Sequence, residues 1–139
     1  MIKYEKSCGA VVFKKENNVI KVLLIEQKAG HWGFPKGHVE ENETEIETAL
    51  REVKEETNID VKIIENFREI IEYQPFENAW KTVVFFVAEP INNTLIKQET
   101  EVQSLGWFNI EKVNELLPFD TQKEIFNKAI KFYLQLNKN

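Results

Sequence analysis

The chain has a single cysteine, Cys8, so no internal disulfide can form, and the disulfide-stapled secreted folds are excluded. Nothing beside Cys8 marks a reactive thiol, and a small core position is expected for it. No apolar run is long enough to span a bilayer, and Met1 to Ala10 is polar and mixed, unlike a signal peptide. A cytoplasmic protein with no membrane partner is therefore expected. Positive charge is also short. Lys and Arg total 18 against 23 Asp and Glu, a formal net charge of -5, which gives no basis for broad binding to nucleic-acid backbones. Repeats, linkers and low-complexity tracts are absent. The 139 residues suffice for one domain with a real core but not for two ordinary ones, so a single domain over 1–139 is expected.

What the chain does have is acid in one place. Residues 40–56 hold eight glutamates against Arg51 and Lys54. Ile46, Ala49, Leu50 and Val53 recur there at the helical period and predict an amphipathic helix from about Glu43 to Thr57. Asn42 with Glu45, or Thr44 with Glu47, would close a capping box at its start. Glu52, Glu55 and Glu56 stand at i, i+3 and i+4, so their carboxylates meet on one face. Like charges at that spacing repel, and they sit in the last turns, where the helix dipole disfavours them. A hard divalent cation removes both costs, and oxygen ligands suit magnesium or manganese. Arg51 lies four residues after Glu47 and four before Glu55, placed to hold an acidic side chain in position.

Around this helix, residues 4–14 and 19–26 read as strands joined by a polar turn. Gln27 to Gly37 holds three of the five glycines and Pro35, and reads as a structured loop without strands. Val61 to Tyr73 and Trp80 to Ala88 predict an antiparallel hairpin. A loop over 92–100, a short strand over 103–108 and a short helix over 109–116, ended by Pro118, come next. Asp120 is a candidate cap for a last helix over 121–135, with an apolar stripe of Ile125, Phe126, Ala129, Ile130, Tyr133 and Leu134. Strands flanked by such helices suggest an α/β/α sandwich with a mixed central sheet.

Gly37 to Ile59 resembles the Nudix box, G-x5-E-x7-R-E-U-x-E-E-x-G-U with U aliphatic. Gly37, Glu43, Arg51, Glu52, Val53, Glu55, Glu56 and Ile59 match. Asn58 departs, standing where the box has its last glycine; asparagine is the side chain that best tolerates the left-handed conformation ending a helix. The resemblance covers nearly the whole chain and implies the Nudix fold and hydrolysis of a nucleoside diphosphate linked to another group. It makes Glu52, Glu55 and Glu56 ligands of Mg2+, with Mn2+ as a substitute. Glu52 and Glu56 are then catalytic positions, with Arg51 supporting them. The group that orients or deprotonates water is Glu52 or a glutamate outside the box. Glu101, six residues before Trp107, is the outside candidate.

Outside the box, His31-Trp32 and the run Phe34 to Glu40 resemble the asymmetrical diadenosine tetraphosphate hydrolases of the animal and archaeal type, as do Phe67 to Tyr73, Lys81 to Val83 and Ala88-Glu89. That likeness implies hydrolysis of diadenosine tetraphosphate to ATP and AMP. His31, Lys36 and Lys81 would hold the polyphosphate, and Tyr73 would stack on a base. The second stacking aromatic is sought near the C-terminus, at Phe126 or Tyr133, of which Tyr133 is the binding position chosen. Trp32 and Phe34 are packing residues that shape the loop. Stacking tolerates any base, so none of these positions requires adenine. The alternatives are an RNA 5'-end hydrolase, a hydrolase of other nucleotides, ADP-ribose or inositol polyphosphates, and a catalytically silent nucleotide-binding protein. No obligatory protein partner is expected.

Overall fold

The computed structural model describes residues 1–136. Its centre is β1 (Lys3–Glu16), a strand buried on both sides. Val11 and Phe13 join one apolar cluster, while Cys8, Ala10 and Val12 join clusters on the opposite side. Successive residues of a strand point to opposite faces, so apolar residues at both parities require cover on both. Asn17 and Asn18 turn the chain with positive φ of 54° and 67°, the two-residue connection whose twist suits a hairpin. β2 (Val19–Gln27) returns antiparallel to β1.

The loop expected over Gln27 to Gly37 contains two short strands, β3 (Trp32–Gly33) on β2 and β4 (Lys36–His38) on β1. Their length, two and three residues, is below what alternation can reveal. β1 thus changes partner along its length, pairing with β4 at Ser7–Gly9 and with β2 at Phe13–Glu16.

After α1 (Glu45–Thr57) the chain forms the expected hairpin of β5 (Val61–Tyr73) and β6 (Ala79–Pro90). β6 lies parallel to β1, and β7 (Val102–Asn109) lies antiparallel to β2. The sheet runs β3-β2-β1-β6-β5, with β4 and β7 added at β1 and β2. A 3-10 turn at Ile110–Lys112 leads into α2 (Val113–Leu116), and α3 (Asp120–Leu136) follows.

Ala49 and Val53 of α1 pack on Cys8, Ala10 and Val12. On the other face, Ile125, Phe126, Ala129 and Tyr133 of α3 pack with Phe13, Phe85 and Val87. The mixed sheet therefore lies between helices, as expected. Two details differ. Ile46 and Leu134 are 42% and 43% exposed, at the borders of their helical stripes. Asp120 is the first residue of α3 rather than its cap, and the Phe119 carbonyl receives the N–H groups of Gln122 and Lys123. Cys8 is fully buried, and burial pushes its thiol pKa up to about 11, which makes it unreactive.

Candidate active site

Both ends of α1 are fixed locally. Of the two possible boxes, Thr44 with Glu47 forms: Glu47 N–H donates to Thr44 Oγ1 at 3.1 Å and Thr44 N–H to Glu47 Oε1 at 2.8 Å. Such a cap contributes about 1 kcal/mol. Asn58 adopts φ 73° and its N–H donates to the Lys54 carbonyl, so asparagine does the work of the missing glycine. Ile59 then folds back, fully buried, into the cluster that holds Val53.

Held this way, the helix presents its acids to a cavity of about 630 Å³ that also receives Glu101. Glu56 is only 4% exposed, and its Oε1 accepts the Lys36 backbone N–H at 3.0 Å. Burial, and then the charge of Glu52, raise its pKa to about 8. Burial also raises that of Glu52, helped by the charges of Glu55 and Glu101 and opposed by Arg51. Gly37 makes room: a Cβ there would lie 2.0 Å from Glu52 Oε2.

Arg51 ties the acidic face to the loop before it. Its Nε and Nη2 donate to Glu43 at 2.6 and 3.0 Å, and Nη2 also donates to the His38 carbonyl at 2.9 Å. Nη1 reaches both oxygens of Glu55 at 3.2 Å and Glu52 at 3.4 Å. Glu47, four residues earlier, is engaged in the capping box instead. Arg51, with the Glu40 N–H and the Thr48 hydroxyl, holds the Glu43 carboxyl down at about 2.

A second cavity, of about 460 Å³, is lined mainly by aromatic and apolar groups. Among the described residues no carboxylate lines it, and its walls include His31, Trp32, Tyr73, Phe119 and Gln122. Tyr73 is 39% exposed at the end of β5 and pairs in register with Lys81 of β6, so the two side chains share a face. Phe119 is 48% exposed, with its ring 5.3 Å from that of His31. Gln27, Lys36 and Lys81 belong to both cavities and form the wall between them. Burial, then the charge of Lys81, lower the Lys36 pKa to about 8, and Glu56 and Glu52 oppose this.

Comparison with known proteins settles the family. The Nudix domain model matches residues 3–129. The chain belongs to the Nudix family. It is 34% identical to the asymmetrical bis(5'-nucleosyl)-tetraphosphatase of Mus musculus and 32% identical to that of Sus scrofa, each match covering 91% of this chain and 94% of the relative. Its structure is similar to a crystal structure of a C. elegans Ap4A hydrolase binary complex, with TM-score 0.86 and 28% identity over 94% of this chain and 98% of that one.

Nudix hydrolases use divalent cations, and the donors here suit one in kind and charge. They are hard oxygen ligands, with Glu56 buried and Glu52 half-buried against their mutual repulsion. Among the described residues no three acidic, histidine or cysteine side chains converge as a finished metal cluster. Arg51 draws on Glu52 and Glu55, so a cation must compete with the guanidinium for them.

Of the binding residues read from the Nudix subfamily likeness, His31, Lys36, Tyr73 and Lys81 come together at one cavity. Tyr133 does not. It is 1% exposed, stacks on Phe13 at 4.7 Å between ring centroids and donates its hydroxyl to Glu89. Phe126 is buried in the same cluster. Both belong to the apolar stripe of α3, whose period assigns them to the core. Phe119 was missed because it precedes the helix. An aromatic placed just after the break at Pro118, outside any apolar stripe, was the available signal.

Proposed function

We propose that this chain hydrolyses diadenosine tetraphosphate to ATP and AMP, with Mg2+ (or Mn2+) held by Glu52, Glu55 and Glu56. A cation bound there supplies charge neutralisation at phosphate oxygens and activation of water. The observation that carries the reading is the wall shared by the two cavities. Lys36 and Lys81 lie between an aromatic cavity suited to a base and an acidic one suited to a metal. An adenine between Tyr73 and Phe119 would send its phosphates past His31 and both lysines toward the acids. Glu101 shares the acidic cavity with Glu52, which keeps both as groups that orient the attacking water or take its proton. Arg51 is a positioning residue, acting through Glu43, Glu52 and Glu55.

An asymmetric cut follows from clamping one nucleoside at a fixed distance from the acids, because only one phosphorus then lies in register. The relatives named above support the substrate class. The test is to incubate the protein with Mg2+ and diadenosine tetraphosphate, alongside 5'-triphosphate RNA and nucleoside triphosphates, and separate the products by anion exchange. Equal ATP and AMP, formed faster than any other product, is the expected result. Two ADP would reject the cut. A preference for RNA ends would reject the role given to the aromatic cavity.

A further inference from the structure

The aromatic cavity holds a polar group that the proposed reaction leaves unused. Gln122 lies three residues after Phe119, and its backbone N–H donates to the Phe119 carbonyl at 3.1 Å. Residues at that spacing share one side of a helical turn, and both side chains line the cavity. The carboxamide lies over β3. A Cβ on Gly33 would stand 3.3 Å from Gln122 Oε1 and 3.6 Å from Nε2, so the glycine leaves the amide its place. Oε1 is buried, and no donor among the described residues reaches it. A buried amide oxygen without a donor is destabilising, whereas methionine would fill a similar volume without that cost. Turned about its last torsion, the carboxamide presents Oε1 to the cavity, where the partner that suits it is a donor carried by the occupant.

Building on the nucleotide reading above, we infer that Gln122 selects adenine. Its Oε1 accepts from the exocyclic amine at position 6, and its Nε2 donates to an adjacent ring nitrogen. Stacking on Tyr73 and Phe119 is indifferent to the base, and hydrogen bonds at the base edge are what discriminate. The adenine amine stands beside N7, and that edge offers the donor–acceptor pair that a carboxamide matches. Hypoxanthine carries a carbonyl at position 6. On its N7 edge it presents two acceptors, one of them against Oε1. Guanine shares that carbonyl and is disfavoured in the same way.

The experiment compares kcat/KM for diadenosine and diinosine tetraphosphate, in the wild type and in Gln122→Met. The wild type should prefer adenine about tenfold, mostly through KM, which is the usual worth of a matched base-edge contact. In Gln122→Met the ratio should fall to about one. Equal efficiency on the two substrates in the wild type would overturn the role of Gln122 and leave the proposed hydrolysis standing. So would a folded Gln122→Met protein that keeps the adenine preference. Hydrolysis of neither dinucleotide, with turnover of RNA ends or nucleoside triphosphates, would overturn the nucleotide reading and this inference together.

Discussion

The acidic and aromatic cavities share three residues but are built in opposite ways. The acidic one is local. Most of its chemistry comes from the 23 residues of Gly37 to Ile59, where a capped helix fixes the spacing of Glu52, Glu55 and Glu56, and Arg51 and Gly37 fix their surroundings. The aromatic one is assembled from the β2–β3 connection, the facing ends of β5 and β6, and the start of α3. In the proposed reaction the first sets the rate, and the second sets affinity and register. Substitutions on the two sides should therefore produce different kinetic signatures.

The largest effect is expected at Glu56. Glu56→Gln should lower kcat by at least about a hundredfold at saturating Mg2+, the scale on which catalytic acids and bases act, while AMP still binds the aromatic cavity in equilibrium titration. Without metal the same variant should melt higher, because it no longer buries a carboxylate beside Glu52. Unchanged turnover would remove Glu56 from the metal site. Arg51→Lys comes next. Lysine cannot make the forked contact to Glu43 while reaching Glu55, so kcat should fall roughly 10- to 100-fold with little change in KM, in the range seen for residues that orient metal ligands.

On the other side of the wall, Phe119→Ala should raise KM by about tenfold, the worth of one stacked base, and leave kcat nearly untouched. The same truncation at Tyr133 should cost about 3–5 kcal/mol of stability, because it empties a packed core position. If Tyr133→Ala raised KM without loss of stability, the assignments of the two aromatics would be reversed.

The smallest effect concerns pH. The Glu43 carboxyl is held at about 2 against an ordinary 4.5. A folded-state value below the unfolded one stabilises fully above about 4.5, and the contribution fades as pH falls toward about 2. Thermal melts of the wild type and Glu43→Gln should therefore converge over that interval. Among the described residues, no carboxylate lines the aromatic cavity to respond in the same way.

The contrast in construction also explains what was legible in the sequence. The capping box, the acidic face and the asparagine that ends α1 are short-range consequences of helical geometry and could be read directly. The longer strands followed from β-branched and apolar runs bounded by polar turns, whereas β3 and β4 are too short to form such a run. Lys36 and Lys81 were recognisable as residue types, but only the pairing of β1 with β4 and β6 brings them to one wall. Phe119 carried only the weak signal of an aromatic outside any stripe, and Gln122 carried none, because its place depends on where the first turn of α3 meets β3, a contact between residues about 90 positions apart. Tyr133 shows the complementary case: its helical period marks it as core, where it lies, against the binding role that the subfamily likeness implies.

In the proposed reaction a clamped nucleoside and the acidic face stand a fixed distance apart. The measurement that tests it most directly is product analysis on diadenosine pentaphosphate beside the tetraphosphate. If the clamp sets the register, one product stays the same for both substrates, and the other lengthens by one phosphate. A mixture of cuts along the pentaphosphate, with no product in common as the main species, would contradict it.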